Sequence, residues 1–124
     1  MLIYRVSWSW YEDYAPREFF SNIEYSQQEF EVLIKKLMKE AANAIVETEE
    51  GYIGNQEIIE KVWELLEKEG FQEVEYRARY NLWGSSIITE NNEEYLEHLD
   101  KETLEKICKH NQKISNRLYE KKRR

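Results

Sequence analysis

Over the first ten residues Leu2, Tyr4, Val6, Trp8 and Trp10 share one parity while Arg5, Ser7 and Ser9 hold the other. That is the period-two pattern of a half-buried strand. Glu12 to Arg17 contains the only proline, Pro16, and reads as a turn or loop. After it, Phe19, Ile23 and Tyr25 alternate with Glu18, Asn22 and Glu24, which predicts a return strand. The period then changes. Ser26-Gln27-Gln28-Glu29 has the spacing of a capping box, with Tyr25 and Phe30 placed as its hydrophobic staple. Phe30, Leu33, Ile34, Leu37, Ala41 and Ile45 keep helical spacing up to Glu49-Glu50-Gly51, predicting a first helix of about 20 residues.

A second helix is predicted from an N-cap at Asn55, with Ile59, Val62, Trp63 and Leu66 on one face. It closes at Gly70, where a left-handed residue costs least, and Phe71 folds back on its last turn. Gly51 to Gly54 is too short a link for anything but an antiparallel or sharply angled helix pair. Val74, Tyr76, Ala78, Tyr80 and Leu82 alternate with Glu73, Glu75, Arg77, Arg79 and Asn81, predicting another strand, and Gly84 bends the chain before Ile87 and Ile88. A short turn around Tyr95 and Leu96 precedes a last helix, capped by Asp100 with Leu99 stapled to Leu104 and running nearly to the C-terminus.

The expected fold class is α+β. A small two- or three-stranded, mainly antiparallel sheet is covered on one face by helices and open to water on the other. The order is β-β-α-α-β-α, with a long C-terminal helix. At 124 residues the chain fits one domain, 1–124, ending in a basic helix over about 101–124.

Composition narrows the class. A hydrophobic fraction of 41% and an aromatic fraction of 14% set the chain apart from disordered sequences. No apolar run approaches the roughly 18 residues of a membrane span, and Glu12 and Asp13 interrupt the place a signal peptide would need. Cys108 is the single cysteine, so no intrachain disulfide forms. These features predict a cytoplasmic protein with no membrane partner, and a Cys108 side chain that packs as a small buried apolar group. The tyrosine-, glutamate- and lysine-rich composition is compatible with a thermophile or a mobile genetic element.

Signals for catalysis fail one by one. Gly51-Tyr52-Ile53-Gly54 lacks the third glycine and the Lys-Ser/Thr of a phosphate cradle and follows a helix. Trp83-Gly84-Ser85-Ser86-Ile87 lacks the second glycine of a nucleophile elbow. Glu94 and His98 are four apart with no further Cys/His cluster to complete a coordination shell, and Cys108 and His110 are two apart, which separates them on a helix. Glu12-Asp13 is the one pair of carboxylates with a reading as an enzyme or metal site, set against the simpler one of a solubilising acidic turn. No cofactor, metal or catalytic residue is expected elsewhere.

Charge gives the most specific pattern. The net charge is −7, yet residues 1–100 hold nine Lys/Arg against 22 Asp/Glu, and residues 101–124 hold nine against three. At about 100° per residue, Lys106, Lys109, Lys113, Arg117, Lys121 and Arg124 fall within an arc of roughly 120°. Leu104, Ile107, Ile114 and Leu118 centre about 120° from that ridge, so the helix is expected to dock by one face and show positive charge on the next. Glu102 to Lys106 and Glu105 to Lys109 are favourable four-residue pairs.

The ridge has three readings: a solvated helix face, a docking surface for the chain's own acidic body or a second copy, and a nucleic-acid contact. Arg5, Arg77 and Arg79 on the polar sheet face, with Glu73 and Glu75, read as a cross-strand charge network. Together these features predict a small non-catalytic interaction or regulatory protein that meets another protein or a second copy of itself through its last helix. A nucleic-acid-binding protein using the ridge is the alternative.

Overall fold

The computed structural model describes residues 2–10, 13–74, 86–87 and 99–123; at 8–10, 13–16, 86–87 and 122–123 it describes the backbone alone. The predicted order is found: β1 (Leu2–Trp10), β2 (Asp13–Phe20), α1 (Gln27–Thr48), α2 (Asn55–Lys68), β3 (Gln72–Glu73), β4 (Ser86–Ile87) and α3 (Lys101–Arg123). The sheet order is β3-β2-β1-β4. β1–β2 and β2–β3 are antiparallel, and the two-residue β4 runs parallel to β1 at Leu2 and Ile3.

The hairpin is tighter than the sequence suggests. Asp13 pairs with Trp10 and Pro16 with Ser7, so Asp13 to Arg17 belong to β2 and not to a loop. Among the described residues β3 pairs with β2 at Phe19 and Phe20. The return strand correspondingly stops at Phe20. The Ser21 hydroxyl accepts from the Ile23 N–H (3.2 Å), a local turn that competes with pairing, and Ile23 is left 63% exposed.

One face of the sheet carries Tyr4, Val6 and Phe19 into a core built with Phe30, Ile34, Leu37 and Met38 of α1 and Ile58, Ile59, Val62 and Leu66 of α2. Four rings meet at its end. Tyr4 lies 4.4 Å from Phe30 and 5.5 Å from Phe71 between centroids, and Tyr25 stacks on Phe71. The Tyr4 hydroxyl accepts from the Tyr25 N–H (2.7 Å) and donates to the Tyr25 carbonyl (3.0 Å). Burial is the main cause holding the Tyr4 phenol above its ordinary pKa.

The other face is not simply open. Ile3 and Ser7 are fully buried, and Val74 packs with Ile3 and Phe20. The register explains why: Phe19 opposes Glu73, which puts Glu73 on the helix side and sends Val74 to the opposite face. The rest of the strand predicted over Val74 to Leu82, and the turn at Tyr95 and Leu96, lie outside the described residues.

Helix ends follow their local chemistry. Ser26 and Glu29 form the complete capping box of α1, each side chain meeting the other's backbone N–H at 3.1 Å. α2 starts one residue before the expected cap: Gly54 is the N-cap and Asn55 the first helical residue, with the Glu57 carboxylate accepting from the Gly54 N–H (3.3 Å). At its other end Gly70 has φ of 95°, the Phe71 N–H reaches the Leu66 carbonyl (3.0 Å), and the Gly70 N–H reaches Glu67 (3.1 Å). That is a Schellman motif. Asp100 accepts from the backbone N–H and hydroxyl of Thr103 ahead of α3.

Candidate interaction surface

α3 is 23 residues long, about 34 Å at the helical rise. Its first half is anchored to the body. Thr103 and Ile107 are buried and Leu104 packs against the core, while the Lys106 ammonium donates to the Asn43 amide oxygen of α1 at 3.0 Å and stands 4.0 Å from Glu102.

Midway, the α1–α2 turn clasps the helix through polar side chains. The Asn111 amide accepts from the Ile53 N–H (2.8 Å) and donates to the Ile53 carbonyl (3.0 Å), satisfying both polar groups of a residue whose exposure is only 2%. His110 meets the Gly51 carbonyl through Nε2 at 2.7 Å; a carbonyl only accepts, so Nε2 carries the proton. The Tyr52 hydroxyl lies 2.9 Å from the Ser115 hydroxyl. The short link between α1 and α2 is therefore also a bracket that fixes where α3 crosses the body.

Past the bracket, the apolar side chains of α3 are more exposed. Ile114 is half-buried, Leu118 is 47% exposed and Tyr119 is 64% exposed. Docking by the apolar face thus holds for Leu104 and Ile107 but fails for Leu118, which lies beyond the reach of the α1–α2 turn. Beside Leu118 runs an open groove of about 550 Å³, lined by Glu50, Ile114, Arg117, Leu118, Glu120 and Lys121. Glu50 follows the C-terminal end of α1, which has no basic residue in its last turn. Arg117 and Lys121 place positive charge on the side where that helix presents its negative end.

The predicted basic ridge therefore divides. Lys106 is tied to α1; Lys109 and Lys113 are exposed; Arg117 and Lys121 edge the groove; Arg124 lies outside the described residues. Among the described residues, Lys109, Lys113, Arg117 and Lys121 have no carboxylate within 4 Å. The Glu102–Lys106 pair forms, whereas the Glu105–Lys109 pair does not close to that distance.

Cys108 corrects the expectation of burial. Its neighbour Ile107 takes the inward position, and one residue further round the helix the thiol is exposed. Elsewhere, Arg5 pairs with Glu18 directly across the hairpin (3.1 Å). Arg17 makes a bidentate contact with Glu73 while lying 5.0 Å over the Trp63 ring. A cross-strand charge network exists, but its Glu73 arm is on the helix side and engages Arg17. Arg77, Arg79, Glu94 and His98 fall outside the described residues, as does Glu12; Asp13 is strand backbone. Among the described residues no three His, Cys, Asp or Glu side chains gather as a metal site, and no helix is long and apolar enough to cross a membrane.

The polar clasp was missed in the sequence, although a signal was present. Asn111 sits on the wheel between Leu104 and Leu118, and a polar residue on an apolar stripe marks either an exposed end or a specific partner. Comparison with known proteins finds no matching protein family, curated protein or solved structure.

Proposed function

We propose that this chain is a non-catalytic interaction protein, acting in the cytoplasm, whose docking surface is the outer half of α3 with the end of α1. Leu118, 47% exposed, and the half-buried Ile114 beside a groove of mixed charge carry this reading. An apolar strip rimmed by charged side chains has the anatomy of a protein interface, in which the centre excludes water and the rim sets partner and register. A photo-crosslinking residue at position 118, in cells making the protein, is expected to yield protein adducts absent when the same residue replaces exposed Val32 on α1. Equal adduct formation at both positions, or none at 118, contradicts the reading.

A second reading is a nucleic-acid contact along Lys109, Lys113 and Arg117, favoured by their lack of carboxylate partners among the described residues. It predicts binding that weakens steeply with salt and is lost when these three become Glu. Glu50 and Glu120 in the groove and the charge of −7 weigh toward the protein partner.

A further inference from the structure

We infer that α3 is a releasable arm: it opens as one unit from an intact body of β1, β2, α1 and α2, and the polar clasp at its middle is the latch that sets how often. This device is independent of what meets Leu118.

Burial is shared unevenly among the helices. α1 buries seven side chains between Phe30 and Ile45, and α2 buries five between Ile58 and Leu66. These close on Tyr4, Val6 and Phe19 of the sheet. α3 is 23 residues long, yet among its described side chains only Thr103 and Ile107 are buried, and Leu104 packs partly against the core. It therefore adds one buried apolar side chain, Ile107, to a core that the other elements build between them.

The rest of its hold is polar. Asn111 on Ile53, His110 on Gly51, Ser115 on Tyr52 and Lys106 on Asn43 join α3 to the turn and to α1. On opening, such bonds are exchanged for bonds to water, so each adds less to the hold than a large buried apolar side chain does. An element with few buried apolar contacts opens below the free energy of global unfolding. A detached helix of 23 residues is marginal in water, so undocking and loss of helix coincide. Leu99, buried in the core just ahead of α3, stays with the body and puts the start of the moving unit at Asp100. Opening frees Leu104 and Ile107, which share a helical face with Ile114 and Leu118, so the latch governs how much of that face a partner can meet.

The test is native-state hydrogen exchange of the full chain at neutral pH, read amide by amide by NMR. Amides of Glu105 to Asn111 are expected to share one opening constant, at least about tenfold larger than that of amides from Leu37 to Ile45 in α1. Ile34 is buried on the side of α1 opposite Asn43, the residue that meets α3. Ile34→Val thus weakens the closed and the arm-open forms alike, and is expected to speed α1 exchange about threefold to tenfold while leaving α3 exchange unchanged. Asn111→Ala weakens the closed form from which both openings start, so α3 and α1 amides are expected to speed up together, at least about tenfold. Equal opening constants for α3 and α1 in the wild type, or Ile34→Val speeding both by the same factor, overturn the separate opening. Protection that falls step by step from Glu105 to Asn111, with no shared value, is fraying and overturns the single unit. Exchange in α3 unchanged by Asn111→Ala overturns the clasp as its latch.

Discussion

Replacing Asn111 with alanine removes both hydrogen bonds that the α1–α2 turn makes to α3 through Ile53. Each bond contributes about 1 kcal/mol net, and stranding a buried partner adds a desolvation penalty of about 1–3 kcal/mol per group, reduced where water enters the space left by the amide. Because Ile53 is almost fully buried while Asn111 is only half so, the expected loss is about 2–3 kcal/mol. For a domain of this size that lowers Tm by roughly 8–12 °C and shifts the urea midpoint by about 1 M. Asn116→Ala on the same helix is the control, since Asn116 only accepts from the exposed Gln112 (3.0 Å), and surface changes of that kind stay within about 0.5 kcal/mol. Asn111→Asp is expected to destabilise at pH 7 at least as much as alanine: the carboxylate still accepts from the Ile53 N–H but sets a negative charge against the Ile53 carbonyl. The assay is urea unfolding followed by far-ultraviolet circular dichroism. Equal midpoints for Asn111→Ala and Asn116→Ala refute the clasp.

Gly70→Ala is expected to cost about 1–2 kcal/mol in urea unfolding, wholly from backbone strain at φ of 95°, because a Cβ there meets nothing within 4 Å; an unchanged midpoint contradicts the Schellman end of α2. Ser26→Ala is expected to cost about 1 kcal/mol at pH 7. Hydrogen bonds from the Ser26 backbone N–H, which alanine keeps, and from the Ser26 hydroxyl, which it loses, hold the Glu29 carboxyl below its ordinary pKa, so only the hydroxyl's share of the stabilisation is lost as pH falls through the folded pKa, while the cost of losing the bond from the Glu29 N–H stays at every pH. Glu57 is opposite in sign. Burial pushes its carboxyl up, so its ionised form weakens the fold at neutral pH, and Glu57→Gln is expected to raise the urea midpoint at pH 7 with an advantage that fades as pH drops below the folded pKa. The exposed Cys108 thiol is expected to react with a disulfide reagent in the native protein as fast as in urea; strong native protection contradicts the placement of that helix face.

The elements most legible in the sequence were those whose local chemistry and long-range packing agree. The capping box at Ser26 and Glu29, the left-handed Gly70 and the stripe from Phe30 to Ile45 needed no knowledge of neighbours. Expectations failed where a neighbour decided the outcome. Pro16 lies in a strand because the β1–β2 register carries the hairpin through it to Asp13, and Val74 crosses to the other sheet face because register, not its own alternation, sets parity. The surface was half legible. Helical spacing revealed both the basic ridge and the apolar stripe, but it carries no information on where the body ends. That boundary, fixed by the bracket of Gly51 to Ile53 on His110 and Asn111, separates the buried Ile107 from the exposed Leu118.

The docking surface on the outer half of α3 is tested most directly by a photo-crosslinking residue at position 118 in cells making the protein: the account predicts protein adducts that are absent with the same residue at exposed position 32, and equal adducts at both positions, or none at 118, contradict it.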